Sequence, residues 1–182
     1  MSARVPIIPT IIVLAAVAIM IALGVWQLGR RAEKEALIAS YAAAARMRAP
    51  VAFPLGQAGE EVLFRRSEVA CPRVVRIEAV SGTAASGAKG WVQRATCASG
   101  ARVDLGFSRF SSPPAFSGGT LTGVIAPGPR LVADPPVAGL EPMARPDPGE
   151  LPNNHLAYAV QWFFFALTAL VIYVLALRRR RR

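Results

Sequence analysis

The chain of 182 residues has one histidine and two cysteines, and only 18% of it is charged. Each shortage excludes something. One histidine leaves no room for a multi-histidine metal centre within a single chain. No HExxH, GxSxG or Walker-type loop is present. A Ser-His-Asp triad would have to use His155, at the edge of a long apolar run. A zinc site made from His155, Cys71 and Cys97 would lack any regular ligand spacing. Hydrolase and metalloenzyme classes are therefore poor fits. A hydrophobic content of 53% excludes a disordered chain, which needs low hydrophobicity. An ordinary soluble domain carries about 25% charged residues, so a plain soluble domain fits poorly too. The net charge of +10 is unevenly placed, because residues 178–182 are five consecutive arginines. Nucleic-acid binding would want a basic stripe on a folded face. A basic run directly after an apolar stretch reads more simply as a membrane anchor, so no nucleic-acid partner is expected.

What is abundant is apolar sequence, in two blocks. Ile7 to Leu28 has no charge and is apolar apart from Pro9, Thr10 and Gln27. Leu156 to Leu177 has no charge either. At about 1.5 Å per residue, a helix of this length crosses a ~30 Å hydrocarbon core. The sequence predicts transmembrane helices at 7–28 and 156–177. Pro6 and Pro9 fall in the first turns of the first helix, where proline is tolerated. The first block is too long for a signal-peptide core and reads as an uncleaved anchor. The arginine tail 178–182 favours the cytoplasm, which puts the N-terminal residues 1–6 there as well. Residues 29–155 then face the periplasm of a bacterial inner-membrane protein. Arg30, Arg31 and Lys34 sit just outside the first span, on the side that basic residues disfavour.

The middle segment is expected to open with a helix over 30–48, rich in good helix formers and ended by Pro50 and Pro54. A β-rich region follows over 60–133. Apolar and polar residues alternate at Val75–Val80, Trp91–Cys97 and Val103–Ser108, with further strands at Leu121–Ala126 and Arg130–Ala133. Ser-Gly and Gly-Gly pairs punctuate them. Five or six strands of an antiparallel sandwich or open barrel are implied. Pro127 to Pro152 is rich in proline, and 134–152 reads as an extended connector back to the membrane. The fold class is thus an α+β membrane protein: two transmembrane helices near the termini flanking a small antiparallel β-rich periplasmic domain.

Cys71 and Cys97 fall in an oxidising compartment by this topology. A disulfide between strands and a pair of buried thiols both fit. His155 follows Asn153 and Asn154, either of which can cap the second helix. It stands in the first turn, with Tyr158, Trp162 and Phe165 at i+3, i+7 and i+10 on one helix face. An aromatic stripe under a histidine suits a flat macrocycle, and it also suits the ordinary interfacial aromatic belt. Gly24, Trp26, Gln27, Arg30 and Lys34 lie near the same membrane depth. Gly24 permits close approach of another group. Arg30 and Lys34 suit the carboxylates of a bound cofactor, such as heme propionates, or lipid head groups. His155 is the one candidate iron ligand.

Two strings carry a family resemblance. Leu23-Gly24-Val25-Trp26-Gln27-Leu28-Gly29-Arg30, followed by Lys34 and Leu37, resembles the first-span motif of the Surfeit locus protein 1 (Shy-type) family. Asn153-Asn154-His155-Leu156-Ala157-Tyr158-Ala159, with Gln161-Trp162-Phe163, resembles its second-span motif. The resemblance implies a biogenesis factor for heme-A cytochrome c oxidase that assists delivery or insertion of heme A into subunit I. It implies no turnover of its own. Subunit I and heme A synthase are the implied partners, and the second-span histidine, here His155, is the implied heme ligand. The family's Arg-Gly-Trp stretch corresponds to Leu105-Gly106-Phe107-Ser108-Arg109, which lacks the arginine and carries phenylalanine for tryptophan. Two other readings stand beside this one. One is a membrane enzyme acting on heme or quinone, which the spans supply with no acid–base pair. The other is a sensory or structural two-span protein, which would not need Asn-Asn-His at the membrane face.

Overall fold

The computed structural model describes residues 6–55 and 59–180. Residues 1–5, with Arg4, and the last two arginines of the tail, Arg181 and Arg182, lie outside the described residues. The chain forms two compact units: a helix pair from residues up to 37 and from 152 onward, and a sheet unit over 38–151.

Helix α1 runs unbroken from Ile7 to Arg46, and α2 from His155 to Arg180. The separate helices expected at 7–28 and 30–48 are thus one. Gly29 faces open space with no competing contact, and the residues around it are strong helix formers, so nothing stops propagation. Both helices are long and apolar enough to cross a membrane. Their large aliphatic side chains, such as Ile8, Ile12, Ile19, Leu167 and Ile172, are exposed. A continuous apolar surface of this kind suits lipid, not water. The protein is a two-span membrane protein.

The sheet unit holds seven strands among the described residues: β1 Val51–Ala52, β2 Arg66–Cys71, β3 Val74–Thr83, β4 Lys89–Cys97, β5 Arg102–Ser108, β6 Gly119–Ala126 and β7 Arg130–Ala133. All five strands expected from alternation are present. β2 escaped because Arg66-Ser67-Glu68 put no apolar residue where the pattern needs one. Its buried face is nonetheless strict, with Ser67, Val69 and Cys71 inside. The order across the sheet is β1-β2-β6-β7-β5-β4-β3. Most pairs are antiparallel, but β1 joins β2 and β5 joins β7 in parallel, so the sheet is mixed and not purely antiparallel. The parallel β5–β7 pair arises because the chain leaves β5, crosses to β6 and returns by a hairpin at the centre.

The sheet is strongly coiled. β2 and β4 stand four strand steps apart, which would span ~19 Å on a flat sheet at ~4.8 Å per step. Yet Cys71 at the end of β2 and Cys97 at the end of β4 have Cα atoms 5.2 Å apart and form a disulfide. Only Pro72 and Arg73 link β2 to β3, which lies at the opposite edge of the sheet. An open barrel satisfies both facts, and the sandwich alternative falls away. Its inner face packs Val69, Cys71, Ala95, Cys97, Val103, Leu105, Leu121 and Leu131 into one core. Tyr41 of α1 packs with Leu63, Phe64 and Ile125 in a separate cluster, its ring 5.2 Å from that of Phe64.

The proline-rich segment is more than a connector. Glu141 exchanges two backbone hydrogen bonds with Phe107, Ala85 N–H donates to the Pro142 carbonyl and Ala144 N–H to that of Thr83. Met143 joins Val92, Ala126 and Val132 in a small core on the outer face of the sheet. Residues 137–147 therefore form a strap. Proline has no backbone donor, so Pro142 contributes only its carbonyl, while Val137, Glu141 and Ala144 donate.

Candidate ligand site in the paired helices

The helix pair is antiparallel, joined at both ends. Thr10 and Tyr173 share a hydroxyl–hydroxyl hydrogen bond at one end, and Gln27 and His155 bond at the other. Between them the less exposed positions recur at alternating spacings of three and four: Val13, Val17, Met20, Gly24 and Gln27 on α1, and His155, Ala159, Trp162, Ala166 and Ala169 on α2. That period produces a seam of coiled-coil type. Small residues make it close. Ala159 and Ala166 are buried, and a Cβ on Gly24 would stand 2.5 Å from the Phe163 ring. Lipid tails give no hydrophobic drive for helix association, so such close packing and interhelical hydrogen bonds must hold the pair.

His155 is the first residue of α2. Asn154 occupies the cap position, its carbonyl accepting from Tyr158 N–H, and among the described residues neither asparagine side chain makes a capping bond. The Asn153 Oδ1 is buried without a partner. The His155 ring is half-buried, with Nδ1 2.7 Å from Gln27 Oε1. Nε2 makes no hydrogen bond among the described residues.

The expected neighbours divide into two groups. Gly24, Gln27 and Lys34 lie on the seam face of α1, and Trp162 on that of α2. Trp26, Arg30 and Tyr158 are exposed, and so is Phe165, whose ring meets Trp162 edge-on at 6.2 Å. Arg30 forms an exposed ion pair with Glu33. The seam face continues past Gln27 through Arg31 and Lys34. Arg31 pairs with Glu35 at 2.7 Å. Sequence reasoning chose Arg30 and passed over Arg31 and Phe163. The signal was available in the phase: Arg31 is four residues after Gln27 and three before Lys34.

The helix pair offers an imidazole whose Nδ1 is already engaged, a half-buried indole about two turns further along α2, and Arg31 and Lys34 on one face of α1. It offers no second imidazole. Among the described residues no group of three or more His, Cys, Asp or Glu side chains is placed to hold a metal ion.

The sheet unit carries its own polar cluster. Asp104 on β5 is nearly fully buried between Arg94 and Arg130. Arg94 donates Nε–H at 2.6 Å and Nη2–H at 3.2 Å, and Arg130 donates Nε–H at 2.8 Å. The bond to Asp104 holds the Arg94 guanidinium above its usual pKa, although burial opposes this. The triad lines a groove of about 520 Å³ between the outer sheet face and the strap. Two arginines share one carboxylate, so the cluster carries a formal net charge of +1, with every pairing made inside it. The Leu105-Gly106-Phe107 stretch is structural. Leu105 and Phe107 are fully buried, and a Cβ on Gly106 would meet Leu140 of the strap at 2.5 Å.

The family model described as the SURF1 family matches residues 14–83 and 72–167. The two matched segments together cover most of the chain, both helix motifs and the sheet. No curated protein and no solved structure matches the chain.

Proposed function

The chain belongs to the SURF1 family, whose members are assembly factors for cytochrome c oxidase, and from that premise we propose that it holds heme A transiently at His155 and passes it to subunit I. One observation carries this reading. The two motifs, 128 residues apart in sequence, meet at the Gln27–His155 hydrogen bond. Heme A, as cargo, supplies an iron that takes axial nitrogen ligands and propionates that attract cations. His155 provides one such nitrogen. Trp162, about two turns further along α2, would provide an aromatic surface, with the exposed Tyr158 and Phe165 on the same helix. Arg31 and Lys34 on the seam face, with Arg30 beside them, neutralise carboxylates. Their position outside the span, on the periplasmic side of a bacterial inner membrane, then has a purpose.

A single histidine suits handover. With His155 as the single histidine of the chain, this protein would supply one nitrogen ligand and leave further ligation to the recipient. Heme A synthase would be the donor. The β unit has no part in ligation in this reading; its strap and barrel form a rigid body beside subunit I. Both termini lie in the cytoplasm.

The test is a reduced-minus-oxidised spectrum of membranes from a deletion strain. The a-type heme signal should be lost, restored by the wild-type chain and not by His155→Ala. Full restoration by His155→Ala would remove His155 from the working site and leave a stabiliser of subunit I that does not hold heme.

A further inference from the structure

We propose that Gln27 is a positioning residue that fixes the proton of His155 on Nδ1 and so presents Nε2 as a bare lone pair. The inference rests on the reading that His155 is the ligand, but it concerns the empty ring and can be tested without any heme.

A neutral imidazole has one N–H and one lone pair, and the partner of one nitrogen decides the state of the other. Gln27 Oε1 faces Nδ1 at 2.7 Å. An amide oxygen only accepts, so the bond needs the proton on Nδ1. Nε2 must then be unprotonated, and it has no hydrogen-bond partner among the described residues to compete for its lone pair. A free imidazole prefers the opposite state, with its proton on the nitrogen farther from the chain. Gln27 therefore reverses an intrinsic preference.

Geometry gives Gln27 the means. It lies on the seam of α1, one turn beyond Gly24, where Phe163 packs against the helix backbone. The Phe163 contact and the buried Ala159 bring α2 close. The Thr10–Tyr173 bond at the far end fixes the register of the pair. Histidine ligands commonly have such a partner on the second nitrogen, and losing it typically costs about 10–100-fold in metal affinity.

The chain's single histidine makes the measurement direct. The full chain, labelled with ¹⁵N-histidine and held in detergent micelles at alkaline pH, gives signals from one ring. Wild type should show a directly bonded proton on Nδ1 and the far-downfield shift of a bare nitrogen at Nε2. Gln27→Glu, whose carboxylate only accepts, should give the same pattern. Gln27→Leu should move the proton toward Nε2. Ferric hemin added to the same samples should bind about 10–100-fold more weakly to Gln27→Leu than to wild type, with Gln27→Glu restoring affinity. A merely structural role for Gln27 would not produce the tautomer change or its rescue by glutamate. A wild-type ring protonated on Nε2 overturns the inference, as does equal hemin affinity in wild type and Gln27→Leu when wild-type binding needs His155. If the tautomer is as stated but hemin binds His155→Ala as well as wild type, the heme reading fails and the role of Gln27 on the empty ring stands.

Discussion

The helix pair and the sheet unit are held together by opposite means. The sheet unit has a buried apolar core, a disulfide across the coil of the sheet and an aspartate clasped by two arginines. The helix pair has one glycine at its seam, two buried alanines and a hydrogen bond at each end. Interhelical bonds of that kind contribute about 0.6–1.7 kcal/mol each in a membrane. Among the described residues of the sheet unit, Arg65 Nε and Gln93 Oε1 are buried without a partner. The unit with little stabilisation contains the histidine. The proposed handover would suit a site built from such weak, geometrically specific contacts. The comparison predicts a separation: damage to the sheet should lower stability and leave the His155 ring signature as it is.

The strongest way to break that separation is to remove the disulfide. Cys71 and Cys97 are 26 residues apart, and closing a loop of that size restricts the unfolded chain by about 3.5 kcal/mol in the chain-entropy picture. Cys71→Ser with Cys97→Ser should lower the denaturant midpoint of the sheet unit accordingly, read by circular dichroism in detergent. The ¹⁵N pattern of His155 should not change in the protein that remains folded. A changed ring would show that the units are coupled and end the comparison as drawn.

A smaller effect is expected at the ion cluster. Asp104→Asn keeps the shape but leaves Arg94 and Arg130, both mostly buried, without their shared counter-charge. Removing one partner of a fully buried pair costs about 3–5 kcal/mol, and partial exposure of both arginines should hold the loss to about 2–3 kcal/mol. The same denaturation measurement reads it. A loss below 0.5 kcal/mol, the ~0–1 kcal/mol range of a surface pair, would mean that solvent already screens the cluster. Such a result would favour a binding role for the groove over a structural one.

Legibility followed the same divide. Spans and strands were readable because each has a local signal: long uncharged runs for α1 and α2, and alternation for β3 to β5. The sequence also gave His155 its place at the head of α2, and the two motifs announced the family. Contacts set by register were not readable. Arg94 opposes Asp104 only once β4 and β5 are aligned past a bulge. The disulfide is forced by a sheet coil that no strand reveals alone. The strap looked like a linker because proline breaks local patterns, and its bonds reach back some thirty to sixty residues. On α1, Arg31 and not Arg30 continues the seam face past Gln27, and that phase is fixed by the partner helix.

The smallest effect sharpens the comparison from the pH side. Tyr41, in the sheet unit, has its phenol pushed above its ordinary pKa by burial and, secondarily, by the charge of Glu60. A raised folded value means that the folded state holds the phenolic proton more tightly than the unfolded chain does. The associated stability is fully present below the unfolded value of about 10 and is lost as pH rises through the folded one. Denaturation midpoints of the sheet unit should therefore fall above pH about 10, and Tyr41→Phe should flatten that part of the decline. Glu60→Gln should flatten it less, because burial is the larger cause. Equal slopes in wild type and Tyr41→Phe would place the alkaline sensitivity elsewhere and would show that Tyr41 is as well hydrated in the folded chain as in the unfolded one.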